Sequence, residues 1–252
     1  MKNDITIIIT LYKTPHSKLS NLNQYKKFKL KIFEQEGSLV SKQKLRKILK
    51  RKFEYFYSPK NVGLPKASNF LLSKVHSKYI LFTQADILIN EKSVLNLKKI
   101  FRQDKEIIFV TPKISNKLTN TKVKNNIKYV KNIKAACMIC DVKKLKKIGF
   151  FDEDYFLYWE DIDLIKKINK SKYKMVLAKN IYARHQSSQS SEFNLKTQYL
   201  RNSNYIYGEL VFDFKNNKLR LIKIVRKILQ NIIFFIYNLI KLKFRDSYKN
   251  IF

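Results

Sequence analysis

Tyr79-Ile-Leu-Phe-Thr-Gln-Ala-Asp86 is an apolar run that ends in a carboxylate. Tyr79 to Thr83 within it has the length and residue types of a β-strand. Helix-compatible segments flank it, Lys66 to Val75 before and Ser93 to Arg102 after. Working back toward the N-terminus, Asn61 to Gly63 reads as a turn, Phe53 to Tyr57 as a strand and Lys42 to Lys52 as a basic helix. Lys29 to Phe33 is a further strand, Ser17 to Lys27 a further helix, and Ile5 to Leu11 the opening strand. Strand and helix alternate throughout, which predicts an α/β domain with a mixed, mainly parallel, Rossmann-like sheet flanked by helices. In such a sheet ligands gather at the carboxyl ends of the strands, which is where Asp86 stands.

Working forward, Ile107 to Thr111 is the next strand, and an Asn/Lys-rich stretch from Pro112 to about Asn126 reads as a surface excursion. Strands follow at Ile127 to Val130 and Ala135 to Ile139, then a short helix at Val142 to Lys147, a Gly-aromatic turn, a helix starting near Glu160 and a strand at Lys174 to Ala178. From Leu219 to Leu242 the apolar residues take helical spacing between basic flanks, an amphipathic helix or two. We therefore divide the chain into residues 1–210, the α/β domain, and 211–252, a basic amphipathic helical extension. The extension's most apolar stretch, Ile228 to Ile240, contains Gln230, Asn231 and Asn238 and is shorter than the ~20 residues that cross a bilayer. It suits the surface of an anionic membrane or, equally, packing on the sheet.

Among the 252 residues, 53 Lys and Arg face 19 Asp and Glu, a formal charge of +34. A charge of that size calls for anionic surroundings. It is spread along the whole sequence and carries no nucleic-acid-binding motif, so no specific nucleic-acid partner is expected. Apolar residues make up 45% of the chain, which excludes a disordered one. Cys137 and Cys140 lack the second pair that a zinc site needs, and in a strand they point to opposite faces. They read as core thiols of a reducing compartment. The first residues show no signal-type apolar stretch, so the expected location is cytoplasmic, peripheral on the inner face of the membrane.

Two more sites carry chemistry. In Gly149-Phe-Phe-Asp-Glu-Asp-Tyr-Phe-Leu-Tyr-Trp-Glu-Asp-Ile-Asp-Leu164, the carboxylates of Glu160, Asp161 and Asp163 crowd together among aromatic residues. Such a cluster repels itself unless it caps a helix, meets cations or serves as a base. Tyr158 and Trp159 would raise a neighbouring carboxyl's pKa toward the range useful for taking a proton from a hydroxyl. The other site is Ile181-Tyr-Ala-Arg-His185, a lone His before a Gln-Ser-Ser-Gln-Ser-Ser run.

In this order the motifs resemble the family 2 glycosyltransferases of the GT-A fold, in particular the rhamnosyltransferase-like branch that builds bacterial surface polysaccharide. The resemblance runs from Ile5 to about Tyr207 and rests on several segments. Thr10-Leu-Tyr12 stands for the end of the family's first strand, and Glu34 for the acidic residue beside the nucleotide base. Asn61-Val-Gly63-Leu-Pro-Lys-Ala-Ser-Asn69 matches the Asn-x-Gly-x-x-x-Ala-x-Asn segment, and Gln84-Ala85-Asp86 the metal-binding strand end. The Gly149 to Asp163 block, His185 and Arg201-Asn-Ser-Asn-Tyr205 follow. The resemblance implies an inverting transferase acting on a nucleotide-diphosphate sugar. Its donor site would include Thr10, Tyr12, Glu34, Asn61, Gly63, Asn69, Gln84 and Asp86. A divalent cation, Mg2+ or Mn2+, would sit on Asp86 and His185. Asp161 would be the base, with Glu160 and Asp163 orienting the acceptor, a saccharide or polyprenyl-linked saccharide. The reaction needs such a set, because the departing nucleoside diphosphate gains charge that a cation must meet.

Rhamnose from dTDP-rhamnose is the implied donor, with UDP-galactose or UDP-glucose next. Since Gln84 replaces one of the family's two carboxylates, a nucleotide-sugar binder with little turnover stays open as an alternative. So does a non-catalytic basic protein that binds membrane or nucleic acid and whose acidic cluster only caps a helix.

Overall fold

The computed structural model describes residues 4–115, 127–133, 135–186 and 194–240. Residues 1–152 with 161–192 form one compact unit, and residues 153–160 with 193–252 a second.

Among the described residues the first unit is built on nine strands: β1 (Ile5–Tyr12), β2 (Lys29–Gln35), β3 (Glu54–Ser58), β4 (Tyr79–Thr83), β5 (Ile87–Leu88), β6 (Ile107–Ser115), β7 (Ile127–Val130), β8 (Cys137–Asp141) and β9 (Lys174–His185). They form one mixed sheet in the order β3-β2-β1-β4-β8-β6-β9-β5, with β7 also on β9. The first four strands are parallel neighbours, whereas β8 runs against both β4 and β6. This is the mixed, mainly parallel α/β sheet that the alternation predicts.

Both faces of the sheet are buried, and successive residues alternate between two cores. Ile7, Ile9, Leu81, Cys137 and Ile139 point into one, together with Leu45 of α2 (Leu39–Ile48) and Val94 and Leu97 of α4 (Glu91–Ile100). Ile8, Ile80, Phe82, Met138 and Cys140 point into the other, with Leu71 of α3 (Leu64–Ser73), Leu145 of α5 (Val142–Ile148) and Leu164 of α6 (Glu160–Asn169). Cys137 and Cys140 thus lie in different cores as free thiols. Burial pushes Cys137 up to about 12 and Cys140 well above its ordinary value, so both remain protonated at neutral pH.

Several boundaries differ from the sequence reading. The segment from Ser17 to Lys27 is a short helix α1 (His16–Leu19) followed by a 3-10 turn, Ser20–Tyr25. Asn21, Asn23 and Gln24 in that turn bond distant backbone, which competes with a regular helix. Strand β8 starts at Cys137 rather than Ala135, and its last residue, Asp141, caps α5 by accepting the Lys144 N–H. The strand expected at Lys174 to Ala178 and the strand-like segment before His185 are one strand. Residues 179–181 bulge out between the pairs Pro112↔Ala178 and Lys113↔Tyr182. The excursion after Pro112 is strand as far as Ser115, and residues 116–126 lie outside the described residues.

The second unit contains α7 (Leu195–Lys215) and α8 (Leu221–Ile240). Asn194 opens α7 with a capping box, its side chain accepting from the Thr197 N–H. Trp159 packs against Tyr205 and Phe212 of α7 at ring-centre distances of 5.8 and 5.4 Å. Tyr205 belongs to the Arg-Asn-Ser-Asn-Tyr segment, and Tyr158 meets it edge-on at 5.9 Å.

Candidate active site

Strands β1 and β2 end side by side, with Leu11 opposite Glu34 and Tyr12 opposite Gln35. Both chains then turn through left-handed backbone at residues other than glycine, Lys13 at φ 44° and Glu36 at φ 56°. Such a conformation costs about 1–3 kcal/mol and collects at binding sites. An ion pair of 3.2 Å joins these two residues, and the hydrogen bond to Glu36 raises the Lys13 ammonium above its ordinary value. Thr10 and Tyr12 are half-buried at this edge, the Tyr12 hydroxyl lying 3.5 Å from Glu36 Oε1. Glu34 accepts a 2.5 Å hydrogen bond from the Tyr55 hydroxyl. Burial, with Glu34 beside it, pushes that phenol up.

The Asn61 to Asn69 segment forms the entry to α3. Asn61 Oδ1 accepts from the Gly63 N–H at 3.0 Å, closing a turn that Gly63 completes at φ 86°. Asn69 is a clip: its Nδ2 donates to Phe151 O at 2.8 Å and its Oδ1 accepts from Phe151 N–H at 3.1 Å. Its amide therefore holds the loop that leads toward the acidic helix.

Asp86 and His185 meet because β5 pairs with the end of β9. Ile87 lies opposite His185, and Gln186 N–H donates to Asp86 O at 3.0 Å. Ahead of β5, Gln84 forms a tight turn in which its carbonyl accepts from Ile87 N–H at 3.2 Å. The 3-10 turn pins this loop from the side. Asn21 Nδ2 donates to Ala85 O at 3.1 Å, and Gln24 bonds both Ile87 O and Ile89 N–H, at 2.9 and 2.8 Å. Lys18 Nζ donates to Gln186 Oε1 at 2.8 Å. Sequence reasoning missed Lys18, Asn21, Gln24 and Gln186. Polar residues in a short helical stretch or just past a strand end carry no sign of the distant groups they will bond.

The Asp86 carboxylate is 1% exposed, and neither of its oxygens has a hydrogen-bond partner among the described residues. A buried charge without hydrogen bonds is expensive, and such groups are normally paired or bind a metal. His185 Nε2 lies 3.3 Å from Oδ2, and the imidazole is half-buried. Two neighbouring ligands of one octahedral ion, each about 2.1 Å from it, stand roughly 3 Å apart. The pair therefore fits an ion taking one oxygen and one nitrogen from the protein. Among the described residues no group of three His, Cys, Asp or Glu could hold a metal, so the other ligands would be donor or water oxygens.

Helix α6 follows two consecutive left-handed residues, Tyr158 at φ 68° and Trp159 at φ 70°. Its three carboxylates differ in environment. Asp163 is buried and paired with Lys167 one turn on, at 2.7 Å, and Lys167 also reaches Asp152 at 3.5 Å. Glu160 is buried at the helix start. Asp161 is half-buried, and its Oδ1 accepts from Ile162 N–H at 2.9 Å. Burial raises its carboxyl above the ordinary value, against the pull of that bond. Among the described residues Asp161 has no ion pair, unlike Asp163, and its raised carboxyl has the direction that suits a base.

Residues 19–164, more than half of the chain, match the family described as glycosyl transferase family 2. No curated protein sequence matches. The fold is similar to that of the mannosyltransferase PcManGT from Pyrobaculum calidifontis in complex with GDP-Man and Mn2+. The TM-score is 0.58 at 13% identity, over 81% of this chain and 62% of that one. It is also similar to GalNAc-T7 with UDP, GalNAc and Mn2+, at a TM-score of 0.56 and 13% identity over 82% of this chain and 48% of that one. S. aureus TarS 1-349 in complex with UDP-GlcNAc gives 0.53 at 14%, over 85% and 72%. The chain thus spans about half to two thirds of the length of the first two. At these identities the likeness is one of fold, and together with the family match it means that the chain belongs to glycosyl transferase family 2.

Proposed function

We propose that the protein is a metal-dependent, inverting glycosyltransferase that moves a sugar from a nucleotide diphosphate to a hydroxyl of a saccharide or lipid-linked saccharide. The observation that carries this reading is the buried Asp86 carboxylate, without hydrogen bonds among the described residues and 3.3 Å from His185, at the carboxyl edge of the sheet. Asp86 and His185 would hold Mg2+ or Mn2+, which when bound neutralises the charge growing on the leaving diphosphate. Solved neighbours of the same fold carry Mn2+ with a nucleotide or nucleotide sugar, which supports both the ion and the donor class.

The protein's own residues do the rest. The loops after β1 and β2, with Thr10, Tyr12 and Glu34, would receive the nucleoside, and Asn61 and Gly63 shape the turn beside it. Asp161 takes the proton from the acceptor hydroxyl as its oxygen attacks the anomeric carbon from the side opposite the diphosphate, so the configuration inverts. Asp163, already paired with Lys167, and Glu160 would hold the start of α6 and the acceptor in place. The donor is proposed to be dTDP-rhamnose, on the motif resemblance, for surface polysaccharide, with UDP-galactose or UDP-glucose next.

Thermal shift with a panel of dTDP- and UDP-sugars, with and without Mn2+, tests the reading, because only ligands of the native state stabilise it. A rise that requires both donor and Mn2+ is expected. No shift with any donor overturns the proposal.

A further inference from the structure

Helix α8 is joined to α7 by its polar side. Lys223 pairs with Glu209 at 2.9 Å and with Asp213, and Lys227 pairs with Glu209. At 100° per residue, Lys223, Lys227, Gln230 and Asn231 share one side of the helix. The opposite side carries Leu221, Val225, Ile228, Leu229, Ile232 and Ile236, which are between 46% and 77% exposed. The arrangement is the reverse of the usual one, in which the apolar stripe faces the protein and the charges face water. A continuous aliphatic face of this length is more than a water-facing surface ordinarily leaves open, and it marks an interaction surface.

The surroundings of that face are basic. Arg226 lies at its border and is exposed, as are Lys218 and Arg220 just before the helix. The sequence after Ile240 continues Lys-Leu-Lys-Phe-Arg. A second copy of the chain would bring the same cations against one another, whereas an anionic lipid surface offers both acyl chains for the aliphatic face and phosphates for its border. Among the described residues no helix is long and apolar enough to cross a membrane, so the helix would lie in the plane of the surface. We propose that the outer face of α8 docks the protein on anionic lipid, inserting its aliphatic side chains at headgroup depth while Lys223 and Lys227 stay with α7.

Cosedimentation of the full chain with phosphatidylcholine vesicles, with and without phosphatidylglycerol, tests this. A chain of charge +34 will adsorb to anionic vesicles by charge alone, so the deciding variant is Ile228→Asp with Ile232→Asp. Both sites are exposed, and far-UV circular dichroism checks that the helix survives; Ile228→Gln with Ile232→Gln gives a milder pair. The wild type should bind vesicles containing phosphatidylglycerol and keep part of that binding in 0.5 M salt, where surface charge is largely screened. The Asp pair should weaken binding by about tenfold or more. The proposal is overturned if the folded Asp pair binds as well as wild type, or if the wild type binds no vesicle. It also fails if light scattering shows a vesicle-free dimer that the same substitutions dissolve, since a second copy then covers the face. No turnover is needed, so the outcome is independent of the transferase reading.

Discussion

Gly208 on α7 lies directly against Trp159: a Cβ at Gly208 would stand 2.9 Å from Trp159 Cδ1 and 3.0 Å from Tyr158 O. The contact falls where Tyr158 and Trp159 hold left-handed backbone just before the acidic helix. Alanine in place of a mid-helix glycine ordinarily stabilises by about 1 kcal/mol. Here the added methyl meets backbone and ring, and overpacking of this kind costs about 1–3 kcal/mol. Gly208→Ala should therefore lower stability by urea denaturation. It should also shift the tryptophan emission, which comes from Trp159 alone because the chain has one Trp. A variant more stable than wild type with unchanged emission would contradict the contact.

Asn69 gives both its amide groups to the Phe151 backbone. Asn69→Ala leaves an N–H and a carbonyl of a nearly buried residue without partners, a loss of roughly 1–3 kcal/mol. The expected sign is a lower urea midpoint in ligand-free protein. A residue that only touched donor would instead leave that midpoint alone and raise the donor dissociation constant, so the two measurements separate a clip from a contact.

Asp86→Asn should affect the ion and not the fold. Removing the charge relieves a buried group that has no hydrogen bonds among the described residues, so the ion-free variant should be as stable as wild type or more so. With the ion at about 100 times its dissociation constant, wild type should gain about 2.7 kcal/mol. Asp86→Asn should lose that gain, and His185→Ala most of it. A full Mn2+ response in both variants would remove the pair from the metal site. Calorimetric titration of Mn2+ into each protein gives the same comparison without unfolding.

The sheet was legible in the sequence because its strands are short apolar runs between helical stretches, and β1 to β4 fall within a residue or two of their predicted bounds. What the sequence concealed depends on distant pairing. Nothing local announces that Ile87 will lie opposite His185, yet that pairing is what sets Asp86 beside the imidazole. The uneven surroundings of Asp161 and Asp163 were equally hidden, because spacing alone does not say that Lys167 reaches Asp163 and that Asp161 has no ion pair among the described residues. In the same way the pattern in α8 disclosed two faces but not which of them meets α7.

On the proposed reading, Asp161 supplies the pH dependence. Burial raises its folded-state carboxyl above the unfolded value, so the folded protein holds the proton more tightly. The stability this contributes is complete below the unfolded pKa and is lost as pH rises through the folded one, which leaves a penalty at neutral pH. Asp161→Asn removes the ionisation, so the variant should be at least as stable as wild type at pH 7 and lose that advantage in acid. Activity should run the other way. A base works only when deprotonated, so donor-to-acceptor transfer by wild type should fall as pH drops through the raised pKa. Asp161→Asn should lower transfer by about 100-fold or more at pH 7 and show no such acid limb. Near-normal turnover in a folded Asp161→Asn protein, measured across pH 5 to 9, would take the base role away from this residue.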